Sequence, residues 1–341
     1  MTRPRLGFFL ILFGLVASWV FWRASRPAPL VVYCAHDAIY SEKILQQFER
    51  RTGIPVAVRF DTEATKSLGL VELIEREQNA PRCDVFWNNE LLGMLRLDEL
   101  GLLEPYQGSG FRRIPARFKD PQGHWTGFAA RLRVYIGNTD ALGRELTEAG
   151  VEKRLVDPDL SGVAIAKPLY GTTLTHYSLL WQQWGGERLR AWHADWRERG
   201  VREVNGNGAV KDAVATGTSS LGWTDTDDFF DARDAGRPVV MLPVRLKGGA
   251  TICIPNTVAI LRGTRQSEAA RQLVDALLSA ETELALARSP ARQIPLGPVT
   301  AEELPAEVRE LRQWASEAAP LAGLSAARAE CLAWLKSEML R

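Results

Sequence analysis

The hydrophobic pattern along the N-terminal part of the chain alternates between two periods. Short apolar runs of strand-forming residues occupy positions 30–35, 54–60 and 84–87, and stretches with apolar residues at helical spacing occupy 39–52 and 68–79. Each predicted strand ends in polar residues, and Gly53 ends the first predicted helix. Because strands that alternate with helices favour parallel pairing, this pattern predicts an α/β fold with a doubly wound sheet.

A long extended run at residues 128–136 separates this first set of elements from a second α/β set. The second set has predicted strands at 163–166, 201–204 and 219–224 and predicted helices at 174–184, 187–199 and 209–216. Extended segments at 239–242 and 250–261 then lead to predicted helices at 266–278, 281–288, 306–318 and 325–340.

The second set is predicted to be an insertion into the first. It begins near Arg133 and ends near Pro255, so residues 30–132 together with 256–341 form a first lobe and residues 133–255 form a second lobe. Two segments cross between the lobes, and the sequence therefore predicts a cleft that closes about a hinge. The length of 341 residues agrees with this division, because it is too great for one compact core.

Residues 1–29 are predicted to be a separate segment. Arg3 and Arg5 precede an apolar run at residues 6–22, which is the pattern of a signal peptide or of an N-terminal membrane anchor. The best candidate for a cleavage site, at residues 16–18, lies inside the apolar run, so we favour an uncleaved anchor that tethers the protein to the inner membrane. Either alternative predicts that the body of the protein is periplasmic or otherwise extracytoplasmic.

Composition narrows the classes of partner. Hydrophobic residues make up 46% of the chain and charged residues 24%, which is typical of a globular protein. The net charge is +1 and no long basic stripe occurs, which argues against nucleic acid as a partner. The four cysteines lack zinc-type spacing, and Cys34 and Cys83, on two predicted strands, form either a disulfide or buried free thiols. We expect the protein to be a monomer.

Polar residues gather where the predicted strands end. In open α/β sheets, ligands bind beyond the carboxyl ends of the strands, so these residues are the candidate ligand-binding set. The first lobe contributes His36, Asp37, Thr65, Lys66, Asn88, Asn89 and Glu90, and the second contributes Gly171, Thr172, Thr173, Asn207, Asp225, Thr226, Asp227 and Asp228. Each also has an ordinary explanation as a helix cap or a hydrogen-bonded core residue, and their convergence from two lobes is what favours a site.

Two parts of this set predict different chemistry. The Gly-Thr-Thr run at residues 171–173 opens a predicted helix, and the free N–H groups of a helix N-terminus favour an anion or a carboxylate. The acidic run at residues 225–228, together with Glu90 and His36, favours a hard cation or an amine.

Several short motifs spread along the chain form a set that is specific for one family. They are Val31-Val32-Tyr33 followed by His36, Phe48-Glu49 with Thr52-Gly53-Ile54-Pro55-Val56, Asp84-Val85-Phe86-Trp87 with Glu90, Gly101-Leu102-Leu103-Glu104-Pro105, a crossing run with Arg131 and Arg133, Gly171-Thr172-Thr173, and Asn256-Thr257-Val258-Ala259-Ile260. With these motifs the chain resembles, from residue 30 to residue 340, the periplasmic solute-binding proteins of ABC importers. The resemblance is to the ferric-ion-binding family, which has the two-lobed type II periplasmic-binding-protein fold.

The resemblance implies a ferric ion as the transported ligand, delivered to the permease and ATPase complex of an importer. It implies iron ligands at His36 and Glu90, a ligand-binding role for Arg131, and an anion at residues 171–173 that completes the metal shell. The paired tyrosines of the family fall near Asp225, where this chain has no tyrosine, so Asp225 is the ligand expected there. Because ferric sites rely on phenolate donors, a small polar organic solute without metal is the alternative ligand.

Two further functions are open to a chain of this kind. Glu90 with Asp225 or Asp227 would be the acid/base pair of an enzyme, but the sequence has no nucleophile elbow, phosphate loop or zinc motif, and we expect no enzymatic activity. An uncleaved anchor would also suit a sensor, in which ligand-driven closure signals to a membrane partner instead of feeding transport.

Overall fold

The structure is a computed structural model that describes residues 28–61, 68–143, 146–321 and 323–339. The predicted signal or anchor at residues 6–22 and the predicted ligand-binding residues Thr65 and Lys66 lie outside these ranges. Within them, no helix is long and apolar enough to cross a membrane.

Ten strands and fourteen α-helices are found in the described part of the chain. The strands are β1 (Leu30–Cys34), β2 (Val56–Phe60), β3 (Val85–Asn88), β4 (Leu103–Glu104), β5 (Thr126–Asn138), β6 (Val163–Ala166), β7 (Arg202–Val204), β8 (Leu221–Asp225), β9 (Val239–Pro243) and β10 (Cys253–Leu261). The helices before β8 are α1 (Ala38–Thr52), α2 (Leu68–Arg76), α3 (Leu92–Glu99), α4 (Ser109–Arg113), α5 (Thr139–Leu142), α6 (Glu148–Leu155), α7 (Gly171–Trp184), α8 (Gly186–Glu198) and α9 (Asn207–Ala215). Those after it are α10 (Thr226–Asp234), α11 (Ser267–Leu277), α12 (Ala280–Arg288), α13 (Ala306–Ser316) and α14 (Leu324–Met339). Short 3₁₀ turns lie at Ala116–Phe118, between α4 and β5, and at Ala301–Glu303, between α12 and α13.

The strands form one mixed sheet in the order β2-β1-β3-β10-β5-β8-β6-β7, with β4 beside β10 and β9 beside β5. The first half of the sheet is β2-β1-β3-β10 with the first part of β5, and the second half is the remainder of β5 with β8-β6-β7. In the first half β1 is parallel to both β2 and β3, and in the second half β6 is parallel to both β7 and β8. The predicted α/β class with parallel units is therefore confirmed in both halves. Parallel strands need both faces covered, and β1, β3 and β6 are accordingly almost fully buried.

Strand β5 joins the two halves of the sheet. Its first part pairs with β10, as in the pair Thr126 and Val258, and its second part pairs with β8 from Arg133 onward. The change of partner occurs at Arg133, whose N–H donates to the carbonyl of Ile252. The backbone of Ala129, four residues before this point, has a positive φ of 41°, and the pairing with β10 shifts register there, between Ile254 and Asn256. The lobe boundaries given above stay a prediction.

The C-terminal helix α14 packs against α7 in the second half and against α3 in the first. The indole Nε1 of Trp181 in α7 donates to Glu330 of α14 over 2.9 Å, and the Trp181 ring lies 5.7 Å from that of Trp334. Helix α14 therefore links the two halves on the side of the molecule formed by these two helices.

The described cysteines are all buried free thiols, and burial raises the pKa of Cys34 to about 12. The register of β1 and β3 places Cys34 opposite Trp87, which is four residues beyond Cys83. Four residues of strand span about 13 Å, whereas the Cα atoms of a disulfide lie within about 7 Å. The alternative of a Cys34–Cys83 disulfide is thereby excluded.

Candidate functional site

A polar cleft of about 830 Å³ lies where strands β1, β3, β6, β7 and β8 end. The residues that line it are Asp37, Asn89, Arg131, Ala166, Lys167, Tyr170, Gly171, Thr172, Thr173, Asn205, Gly206, Asn207, Gly208, Asp225, Asp227 and Asp228. The cleft is thus built mainly from the second half of the chain, with Asp37, Asn89 and Arg131 coming from the first.

The structure brings most of the predicted ligand-binding residues to this cleft. The predicted residues that line it are Asp37, Asn89, Arg131, Gly171, Thr172, Thr173, Asn207, Asp225, Asp227 and Asp228. His36, Asn88, Glu90 and Thr226 are described and do not line it. Their role in ligand binding stays a prediction.

The set drawn from the sequence omitted other lining residues, among them Lys167, Tyr170, Asn205, Gly206 and Gly208. The strand-end rule could have found them: Lys167 directly follows β6, and Asn205 directly follows β7. Lys167 is the important omission, since it adds a cation to the cleft.

A closed hydrogen-bond network forms the floor of the cleft in the second half. The Thr172 hydroxyl donates to Asp225 Oδ2 over 2.6 Å, and Asn207 Nδ2 donates to the same oxygen over 3.0 Å and to Thr172 Oγ1 over 2.8 Å. The Thr173 hydroxyl donates to Asn207 Oδ1 over 3.0 Å. Nη1 of the fully buried Arg133 completes the network, at 2.8 Å from Asp225 Oδ1. Both carboxylate oxygens of Asp225 are therefore engaged.

The first turns of three helices open onto this floor. Helix α7 begins at Gly171, α9 at Asn207, and α10 directly after Asp225, and these three residues line the cleft. None of these helices has a side-chain hydrogen bond at its N-cap within the described residues. In the first turn of α10 the N–H of Asp228 donates to Asp227 Oδ1 over 3.2 Å. A first-turn N–H group from which no side chain accepts is left for a ligand, together with the positive end of the helix dipole. The second half therefore offers a surface suited to an anion.

Arg131 joins the two halves of the cleft wall. Its Nε lies 3.2 Å from Asp227 Oδ2, its Nη1 donates to the carbonyl oxygen of Asn89, and its Nη2 lies 3.2 Å from Asn256 Oδ1. This buried guanidinium thus holds the β3–α3 loop of the first half against the start of α10 in the second.

The carboxylates around the cleft shift the pKa values of their neighbours. Burial opposes the protonated form of Arg131, but the nearby Asp227, Asp225, Asp37 and Asp228 more than offset this and raise its pKa. Burial, reinforced by Asp227 and Asp225, raises the pKa of Asp228 to about 7. Arg131 is therefore held fully charged, while Asp228 changes its charge near neutral pH.

The predicted metal ligand His36 is buried in the first half. Its ring stacks on Trp87 with centroids 5.0 Å apart, its Nε2 lies 2.9 Å from the Gln293 amide, and its Nδ1 lies 3.3 Å from the Asp37 carbonyl oxygen. Both ring nitrogens are thus within hydrogen-bond distance of the protein itself.

Glu90, the second predicted metal ligand, caps helix α3. Its carboxylate accepts from the N–H of Gly93 over 2.8 Å, from the N–H of Leu92, and from Asn88 Nδ2 over 3.0 Å. Burial raises its pKa, although these donors counteract the shift. A carboxylate just before a helix is attracted to the free N–H groups there, which explains why the side chain turns away from the cleft. The acid/base pair of the enzyme alternative is not formed across the cleft in this structure.

Groups of three carboxylate, histidine or cysteine side chains close enough to share a metal ion occur at two places among the described residues. One group is Asp225, Asp227 and Asp228, and the other is Asp98, Asp120 and His124; in each the ligand atoms lie within 4.8 Å of one another. The predicted set of His36, Glu90 and Asp225 is not brought together.

Comparison with known proteins agrees with this architecture. The family model described as bacterial extracellular solute-binding protein matches residues 30–289. An uncharacterized protein of Haemophilus influenzae is 28% identical over 306 residues, covering 83% of this chain and 82% of that protein. The Fe(3+)-binding periplasmic protein of Serratia marcescens is 25% identical over 202 residues, covering 58% and 57%. Iron uptake protein A1 of Synechocystis sp. is 24% identical over 271 residues, covering 76% and 73%.

Solved structures show the same fold. Iron-bound HitA from Pseudomonas aeruginosa superposes with a TM-score of 0.74 at 21% identity, covering 91% of this chain and 99% of that one. The periplasmic binding protein AfuA from Actinobacillus pleuropneumoniae, with fructose-6-phosphate bound, superposes with a TM-score of 0.71 at 20% identity, covering 92% and 99%. The predicted periplasmic-binding-protein fold is therefore confirmed. The chain belongs to the bacterial extracellular solute-binding proteins.

Proposed function

We propose that this protein is an extracytoplasmic receptor that binds a small anionic solute in the cleft and delivers it to the permease and ATPase of a membrane importer. The observation that carries the proposal is the meeting of three helix N-termini without side-chain caps at one polar floor, beside Lys167. Backbone N–H groups at helix starts bind phosphate and carboxylate groups well.

The charges around the cleft agree with an anionic ligand. Of the four aspartates that line it, Asp225 is paired with Arg133 at 2.8 Å and Asp227 with Arg131 at 3.2 Å. Each helix N-terminus carries a positive partial charge of roughly half an elementary charge. Together with Lys167, the three N-termini offset the remaining two aspartates, so the floor itself favours a negative group.

The opposite side of the cleft suits the remainder of an organic solute. Asp37 and Asn89 line the cleft from the first half, and a carboxylate with an amide can accept and donate hydrogen bonds to hydroxyl or amine groups. A molecule with a phosphate or carboxylate group for the floor and hydroxyl groups for Asp37 and Asn89 fits this arrangement. The fructose-6-phosphate bound to AfuA supports it, because a protein of the same fold binds a phosphorylated molecule with hydroxyl groups.

Ferric ion with a synergistic anion is the second candidate ligand. The names of the Serratia and Synechocystis relatives and the iron-bound HitA support it. Asp225, Asp227 and Asp228 offer oxygen donors of the kind hard cations prefer, and His36 and Glu90 are the further ligands predicted from the sequence. Against it, Tyr170 is the single tyrosine among the residues lining the described cleft, and both oxygens of Asp225 are already hydrogen-bonded.

Solute capture would close the two halves of the molecule about the crossing strands, and an importer would distinguish the closed form from the open one. The protein works as a periplasmic monomer in this proposal, held at the inner membrane if residues 6–22 are kept. An anchored sensor would use the same cleft and the same closure.

The proposal is tested by native mass spectrometry of the purified full-length chain and by titration with inorganic phosphate, citrate and fructose 6-phosphate. One of these anions is expected to bind with one-to-one stoichiometry, and Lys167→Met should weaken it about tenfold or more, as for loss of a charge-assisted hydrogen bond. The control Lys336→Met removes an exposed lysine of α14 and should leave the affinity unchanged. Binding of Fe³⁺ alone, with no effect of Lys167→Met, would favour the second candidate. No binding of any anion or of iron would refute the proposed function.

A further inference from the structure

Arg133 lies at the centre of the cleft floor without lining the cleft. Its side chain is fully buried, and a single nitrogen, Nη1, lies near three side-chain oxygens. These are Asp225 Oδ1 at 2.8 Å, Asn207 Oδ1 at 3.1 Å and Thr172 Oγ1 at 3.3 Å. Among the residues that the structure describes, Nε and Nη2 of Arg133 have no hydrogen-bond partner, so its hydrogen bonds there all go to this network.

The three side chains held by Arg133 come from the starts of three different helices. Thr172 is the second residue of α7, Asn207 is the first residue of α9, and Asp225 directly precedes α10. Threonine, asparagine and aspartate are the residue types that most readily cap helix N-termini. Here their side chains bond to one another and to Arg133, and the three helices keep no side-chain cap. Of the three, Asp225 stands at an N-cap position, whereas Tyr170 and Gly206 stand at the N-caps of α7 and α9. The network therefore takes up the carboxylate that would otherwise cap α10.

Arg133 also balances the charge of the floor. Asp225 is nearly completely buried, and a carboxylate at this place without a cation would repel an anion bound at the three helix starts. Without Arg133, the Asp225 carboxylate would be available to a cation, together with its neighbours Asp227 and Asp228. The ion pair with Arg133 removes that option and leaves the positive helix ends as the dominant field.

We infer that Arg133 is a positioning residue that determines the sign of the charge the cleft accepts: with Arg133 in place the floor binds an anion, and without it the floor binds a cation. The inference rests on the proposed function. Arg131 has a separate task, because it faces the cleft and pairs with Asp227 rather than with the floor network.

The test compares Arg133→Met, Asp225→Asn and the double variant in the full-length protein. Phosphate, or whichever of citrate and fructose 6-phosphate the wild type prefers, is the anion probe, and Tb³⁺, a hard cation, is the second probe, followed by its luminescence. Arg133→Met should weaken the anion at least about tenfold and strengthen Tb³⁺ by a similar factor. The double variant, in which the floor is again uncharged, should recover the anion affinity to within about threefold of wild type.

Two further variants keep the test decisive. Arg133→Lys retains the charge and should keep the preference for the anion even if Arg133→Met folds poorly. Arg199→Met removes another ion-paired arginine of the same half, bonded to Asp195 at 2.8 Å outside the cleft, and should lower stability without changing either affinity. An unchanged anion affinity in Arg133→Met, or no recovery in the double variant, overturns the inference alone. A wild type that binds no anion overturns the proposed function and this inference with it.

Discussion

Polar residues follow the strands in both halves of the molecule, but the two halves use them differently. In the first half, His36 stacks on Trp87 and Glu90 caps helix α3, so both serve the half that carries them. In the second half, Thr172 and Asp225 bond to each other and face the cleft. His36 and Glu90 thus stabilise the first half, whereas Thr172 and Asp225 form part of the floor of the cleft.

This difference has a physical origin in the helix starts. A carboxylate at Glu90 can reach the N–H groups of Leu92 and Gly93, so α3 is capped from within. At α10 the corresponding carboxylate, Asp225, is drawn to Arg133 instead. One buried arginine on the crossing strand therefore decides whether a helix start is closed or left for a ligand.

The largest effect on stability is expected for Asp225→Ala. This change leaves the buried guanidinium of Arg133 without its counter-charge, and we expect the free energy of unfolding to fall by about 3–5 kcal/mol. Urea unfolding followed by tryptophan fluorescence measures it. A loss below about 1 kcal/mol would show that the floor network is not an integral part of the second half.

A smaller effect is expected for Glu90→Ala, which removes the acceptor of three buried donors in the first half. The free energy of unfolding should fall by about 1–3 kcal/mol, while anion affinity stays within about twofold of wild type because Glu90 does not line the cleft. Calorimetric titration and urea unfolding of the same sample measure both quantities. Loss of ligand binding with unchanged stability would instead place Glu90 in the ligand shell, as the iron candidate requires.

The smallest effect expected is on the pH dependence of stability, and it comes from His176 in the second half. Burial and the nearby Arg133 hold the pKa of His176 well below its ordinary value. In mild acid His176 is therefore neutral in the folded protein and protonated in the unfolded chain. Stability should therefore fall as the pH drops below about 6.5, by up to about 1.4 kcal/mol per pH unit from this residue. His176→Gln should remove this component, seen as a shallower difference between urea unfolding at pH 7 and pH 5.5. Parallel pH dependence of the two proteins would contradict the assignment.

Much of the fold could be predicted from the sequence, because the periods of strands and helices are local. The parallel units were expected from the alternation of elements, and β5 was expected as a crossing strand from the long extended run at residues 128–136. Helix starts were less accurate: α7 begins at Gly171 rather than Leu174, and α9 at Asn207 rather than Ala209. Both errors place cleft residues in loops that are in fact the first turns of helices.

The site could be predicted in part, because position along a strand does not determine which way a side chain turns. Asp37, Asn89 and Asp225 were expected at the cleft and lie there. Thr226, one residue after Asp225, instead accepts a hydrogen bond from the Leu132 N–H at 3.3 Å. Such choices depend on partners that are distant in the sequence, and Arg133 is the clearest example, since its partners are 39, 74 and 92 residues away.

The most direct test of the central claim is calorimetric titration of the full-length protein with phosphate, citrate and fructose 6-phosphate in buffer from which metal ions have been removed by a chelating resin. The account predicts one-to-one binding of at least one of these anions without metal, weakened by Lys167→Met. Binding that appears only after Fe³⁺ is added would contradict it and would make the anion a partner of the metal rather than the solute itself.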